Sequence, residues 1–119
     1  MSWYAAHNIM YVRFKDKRQD KYPIWENIIL IEAESEEQAI KKATKIGREA
    51  EGDSSDTFYW EDRPAIWVFA GVRKLIECQS NSERPNDGTE ITYSEMLLDC
   101  EESLSKLVSG QTVTILYKE

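Results

Sequence analysis

Apolar residues crowd both faces of a strand from Trp3 to Phe14, where Ile9, Met10, Tyr11, Val12 and Phe14 are strong strand formers. The polar segment Lys15 to Lys21 breaks the pattern as a turn. A second strand, Tyr22 to Ala33, follows, with Pro23 confined to its start. Its run WENIILIEAE reads as buried, and the two strands are expected to form an antiparallel hairpin. The period then changes from two to 3.6. Ser35 and Gln38 form a capping box, and Glu36 and Glu37 suit the positive end of a helix dipole. Ala39, Ile40, Ala43, Ile46 and Ala50 form a narrow stripe of mostly small residues. Gly47 allows close approach to a sheet, and Gly52 suits a helix stop.

Asp53 to Pro64 reads as a loop around Phe58, Tyr59 and Trp60. Ala65 to Glu77 is predicted as a central strand, with Ile66, Val68, Ala70 and Val72 on one face and Trp67, Phe69 and Gly71 on the other. Gln79 to Gly88 is a polar loop, and Thr89 to Leu98 a fourth strand. Asp99 is placed to cap a second helix with Cys100, Leu104, Leu107 and Val108 on its apolar face. Gly110 ends that helix, and Thr112 to Tyr117 forms the last strand. The order β-β-α-β-β-α-β predicts an α+β fold in a single domain over residues 1–119. Its sheet is mixed but mainly antiparallel, with one main helix packed on one face. Strand one is expected between strands two and three, with helix one crossing between two parallel strands. The small helical stripe matches the Ile66, Val68, Ala70 and Val72 face. The other face is then expected to carry Trp3, Ile9 and Tyr11, with Trp25, Ile29 and Ile31, and with Trp67 and Phe69.

Composition narrows the classes of function. The 119 residues suit one domain, and 41% hydrophobic with 31% charged residues is a globular mixture. A chain of this size buries roughly 65% of its unfolded surface. Four Trp, six Tyr and three Phe supply large contacts. A net charge of -7 argues against a nucleic-acid partner, which needs a basic surface, but suits a basic protein partner. Lys15, Lys17, Arg18 and Lys21 are interrupted by Asp16 and Asp20, as in a solvated hairpin tip. The N-terminal residues lack a signal-peptide pattern, and no apolar run reaches membrane-spanning length. Cys78 and Cys100 read as free thiols in a cytoplasmic protein.

Four segments resemble a family of small uncharacterised bacterial proteins, a domain of unknown function. They are Trp3-Tyr4-Ala5-Ala6, ILIEAESEEQAIKKA, WVFAGVRKL from Trp67 to Leu75, and GTEITYSE from Gly88 to Glu95. The resemblance implies a stand-alone bacterial protein and brings no activity or catalytic residues with it. The tail from Leu98 onward suggests a longer subgroup.

Candidate chemistry is sparse. His7 is the single histidine, so a multi-histidine metal centre is ruled out, and it reads as a hydrogen-bonded sheet residue. The cysteines lack zinc spacing. Cys100 fits the apolar stripe of helix two, although its place near a helix N-terminus would favour a reactive thiol. Glu32, Glu34, Glu36 and Glu37 cluster, with Glu26 behind them, but the helix dipole explains two and solvent the rest. Phosphate-loop and nucleophile-elbow motifs are absent. No cofactor or metal is implied.

The aromatic face remains. Trp3, Trp25, Trp60, Trp67 and Phe69 are the candidate anchors of an interaction surface. The leading reading is a non-enzymatic protein-binding module, a homodimer that meets a partner through a sheet face or edge. Three alternatives stay open. One is an acidic immunity-type inhibitor of a basic enzyme. Another is a small enzyme or small-molecule binder with a pocket near His7 or Cys100. The last is a structural subunit of a larger complex.

Overall fold

The structure is a computed structural model that describes residues 1–16, 18–53, 57–79 and 84–118. Lys17 of the basic cluster, residues 54–56 of the aromatic loop and residues 80–83 of the polar loop lie outside the described residues. The elements are β1 (Ser2–Phe14), β2 (Ile24–Ala33), α1 (Glu36–Glu49), β3 (Tyr59–Trp60), β4 (Arg63–Glu77), β5 (Met96–Leu97), α2 (Glu101–Val108) and β6 (Leu116–Tyr117). The fold is α+β, as predicted. The main sheet runs in the order β2-β1-β4-β3, with each neighbouring pair antiparallel. β1 therefore lies between β2 and β4, as expected for strands one, two and three.

α1 lies on one face of this sheet, across β4, β1 and β2. Its start follows the sequence signal: the Gln38 amide donates to Ser35 Oγ at 3.1 Å, and Gln38 Oε1 accepts from the Glu34 amide at 2.6 Å. The buried stripe is Ala39, Ala43 and Gly47. Ile40 and Ile46, expected in that stripe, are exposed on its flanks. Small residues bring the helix axis close to the sheet. At Gly47 the approach leaves no room for a side chain, since a Cβ there would lie 2.3 Å from the Phe69 ring. From β1, Asn8 Nδ2 donates to the Ala43 carbonyl at 3.0 Å and ties the middle of α1 down. Asn8 and Asn27 stand opposite in the β1–β2 register, and the Asn8 amide serves the helix.

The face assignment of β4 is corrected by two irregularities. The β1–β4 register shifts between His7 and Asn8 and again between Ile9 and Met10, making Arg73 and Ala70 the extra residues of β4. Each extra residue reverses the alternation that follows. Gly71, at φ +150°, supplies the backbone between them. The helix side of β4 is consequently Ala65, Trp67, Phe69, Val72 and Leu75, instead of Ile66, Val68, Ala70 and Val72. Tyr4, Ala6, Ile31, Ala33, Ala39 and Ala43 form the core beneath the helix, joined by Ile29, Val72 and Leu75. Trp3, Ile9 and Tyr11 lie on the opposite face from Trp25, Trp67 and Phe69. The three aromatic groups do not share a side, because the register pairs Met10, not Ile9, with Trp25 and Phe69.

Other expectations change in the C-terminal part. Within Thr89 to Leu98 only Met96–Leu97 forms a strand, pairing with Leu116–Tyr117 in a separate two-stranded ladder. Residues 89–94 instead run beside the sheet face away from α1. Lys74 Nζ donates to the Tyr93 carbonyl at 2.6 Å, and Cys78 Sγ donates to the Ile91 carbonyl at 3.4 Å. The N-cap of α2 is Cys100 rather than Asp99, whose carboxylate accepts from the Ser103 hydroxyl. No residue of α2 is buried, so Cys100 is exposed and its expected core position is overturned. An eight-residue helix off the main sheet has no facing surface for its stripe. Cys78 is the buried thiol of the pair, and burial, helped by Glu77, pushes its pKa up. The loop before β4 contains β3, which turns tightly through Glu61 and Asp62, both at positive φ.

Candidate functional site

Strand alternation and hydrogen bonding settle which side of each edge is open. The Val12 amide donates to the Pro23 carbonyl at 3.0 Å, so odd-numbered residues of β2 direct their backbone groups toward β1. Even-numbered residues direct theirs outward. Lys42 Nζ confirms the direction at one end, donating to the Glu32 carbonyl at 2.7 Å from outside the sheet. Ile24, Glu26, Ile28 and Leu30 thus present N–H and C=O groups at the outer edge of a ten-residue strand. The same stretch exposes apolar side chains. Trp25 is 52% exposed, Ile28 47% and Leu30 42%. The run WENIILIEAE was expected to be buried. It is an edge strand, with a neighbour on one side only.

A cleft of about 430 Å³ runs between this edge and α1, lined by Trp3, Leu30, Ile31, Glu32, Lys42, Lys45, Ile46 and Glu49. At the opposite end of β2, Trp25 packs on Trp67 with ring centroids 4.7 Å apart. Trp67 also stacks on Phe58 at 5.5 Å and meets Trp60 edge-on at 5.9 Å. Gly52 creates this cluster: it exchanges backbone hydrogen bonds with Trp67 and folds the loop back onto β4. Of the five candidate anchors, Trp60, Trp67 and Phe69 are half-buried in packing on the helix side of the sheet. Trp3 and Trp25 flank the β2 edge and stand on opposite faces. The five anchors therefore do not share one face, and Trp3 and Trp25 border the open edge of β2.

The other constellation surrounds His7, which is 1% exposed. Its Nδ1 lies 2.8 Å from Glu26 Oε2, and its Nε2 lies 2.6 Å from Thr92 Oγ1. Arg73 Nη1 donates to the same Glu26 oxygen at 2.8 Å, and its guanidinium lies 4.8 Å from the centroid of the Tyr117 ring. The bulge at Arg73 aims that side chain at Glu26. A hydroxyl, an imidazole and a carboxylate in line resemble a proton relay. Here the ring is sealed from solvent with both nitrogens engaged. The relay clips residues 89–94 to the sheet. Neither partner was legible in the sequence: Glu26 reaches His7 only through the β1–β2 register, and Thr92 comes from a segment 85 residues away.

Burial works against the charge of Glu26, but the His7 hydrogen bond and the Arg73 guanidinium outweigh it, holding its carboxyl below the usual glutamate range. A depressed folded pKa stabilises the protein above the unfolded value and loses that contribution as pH falls through the folded value. Denaturant unfolding from pH 7 down to pH 3 is expected to show a shallower acid loss for Glu26→Gln than for the parent chain. Parallel acid profiles would contradict the clip.

No group of three or more His, Cys, Asp or Glu able to hold a metal occurs among the described residues. No described helix is long and apolar enough to cross a membrane. No curated protein and no solved structure matches the chain. Residues 3–93 match the family described as Domain of unknown function (DUF4288), so all of β1 but Ser2 and the chain through the Thr92 clip lie within the match, while β5, α2 and β6 follow it, and the chain belongs to that family.

Proposed function

We propose that the protein is a non-enzymatic interaction module that meets a protein partner by strand addition at the outer edge of β2. The observation that carries this reading is the open backbone edge from Ile24 to Leu30, bordered by exposed Ile24, Trp25, Ile28 and Leu30. Long apolar edges invite pairing, and proteins that do not use them blunt them with charge, proline or cover. Lys42 blunts only the Glu32 end. The cleft between β2 and α1 offers room for alternate side chains of an added strand. Backbone hydrogen bonds then supply affinity, and side-chain fit supplies specificity. Trp25 and Trp3 serve as flanking anchors, with Glu26 and Glu32 at the rim. An immunity-type inhibitor is the form this module takes if the partner is a basic enzyme.

Ile28→Pro tests the edge with little damage to the fold. The Ile28 amide points outward, so proline removes a donor that no strand of this chain uses. Affinity capture from the native host, read by mass spectrometry, is expected to lose the specific partner with Ile28→Pro while circular dichroism stays unchanged. An identical set of captured proteins would refute strand addition.

A further inference from the structure

The outer edge of β2 matches itself. We propose that the protein is a homodimer in which β2 pairs antiparallel with β2 of a second copy, with Ile28 on the two-fold axis. The inference rests on reading β2 as the interaction edge and adds its occupant and register. A two-fold axis normal to the sheet joins two four-stranded sheets into one and keeps both α1 helices on one side.

Register follows from charge. Only pairings of even with even residues let outward backbone groups meet. Two such registers use nearly the whole strand, one centred on Ile28 and one on Ile29. Centring on Ile29 sets Glu26 opposite Glu32 of the partner subunit, twice per dimer, and like charges directly opposite destabilise a ladder. Centring on Ile28 sets Glu26 opposite Leu30 of the partner subunit. Ile28 then meets its own copy, and the carboxylates stand apart. Exposed Ile28 and Leu30 become covered.

The helix flank fits the same symmetry. Lys42 reaches Glu32 at one end of β2, while Ala50 lines a small cavity with Trp25 at the other, so α1 runs antiparallel to β2. Lys42 and Lys45 lie toward one end of the cleft and Glu49 toward the other. Antiparallel docking brings the Glu49 end of each cleft toward the Lys42 end of its mate. Ile46 then lies near the axis, where an apolar residue meets its like.

Salt separates a second copy from the other possible occupant, a basic strand of a different protein. Two copies each carry -7, so screening favours the dimer as salt rises. A basic partner would be released instead. Analytical ultracentrifugation of the full chain at 50 and 500 mM salt is expected to show twice the 13.9 kDa chain mass, held or strengthened at the higher salt. Ile28→Lys, at an exposed position, is expected to shift the protein to monomer with unchanged circular dichroism. In a Cys100→Ser background, Ile28→Cys should form an intermolecular disulfide on mild oxidation. Hydrogen-bonded antiparallel pairs hold Cα atoms about 5.5 Å apart, within disulfide reach. A monomer at all concentrations, or a dimer indifferent to Ile28→Lys, overturns the self-pairing. If the chain is monomeric but Ile28→Pro still abolishes capture of another protein, the edge reading stands and the second copy alone fails. If Ile28→Pro changes nothing, both fall.

Discussion

Trp67→Ala is expected to lower stability by about 3 kcal/mol, the lower end for removing a packed tryptophan because the ring is only half-buried. The indole touches Trp25, Phe58 and Trp60 at once, so its loss leaves a gap between the loop and β4 that no single neighbour can fill. Thermal unfolding should fall by roughly 10 °C for a domain of this size. Trp25→Ala removes a ring that is half in water and should cost about 1 kcal/mol. Denaturant unfolding of the two variants checks the ranking. Equal losses, or a loss below 1 kcal/mol for Trp67→Ala, would show that the cluster is a surface feature. The contrast separates the two roles sequence alone had merged: Trp67 as packing and Trp25 as a flank of the edge.

His7→Ala should be nearly as damaging, at about 2–3 kcal/mol, because it leaves a cavity and strands the groups that faced the ring. Its specific mark is local. Residues 89–94 lose the hydrogen bond at Thr92 and keep those to Lys74, Cys78 and Gln79. Hydrogen exchange in that segment is expected to rise well beyond the global change in stability. Thr92→Val keeps the shape, removes the hydroxyl, and should reproduce the local effect with about 1 kcal/mol of global loss. Exchange in residues 89–94 that merely tracks global stability would count against the clip.

Much of the architecture was legible because it depends on local rules. Ser35 and Gln38 cap a helix by side-chain reach alone, and the polar turn between two strand-forming runs makes a hairpin. Small residues at Ala39, Ala43 and Gly47 predict a helix close to a sheet. The bulges at Ala70 and Arg73 were not legible. Nothing nearby marks an extra residue there except Gly71, and a glycine in a strand has several uses. The two shifts bring Val72 onto the face of Trp67 and Phe69, and the register of Met10 with Trp25 and Phe69 separates Trp3 from the other tryptophans. The end of the chain failed for a different reason. Thr89 to Leu98 has strand-like residues, but most of it is held by side chains from His7, Lys74 and Cys78 and pairs with no sheet edge.

By itself, the sequence determined the fold class, the hairpin, the cap and small stripe of α1, and the central place of β1. These follow from periodicity and steric fit, which act over a few residues. Tertiary structure alone decided that β2 lies at an edge, that Trp67 and Phe69 lie beneath the helix, and that Glu26, Thr92 and Arg73 converge on His7. An apolar strand carries the same side chains whether one neighbour or two flank it. Only strand order reveals which backbone groups remain unpaired along β2, the edge we propose meets a partner.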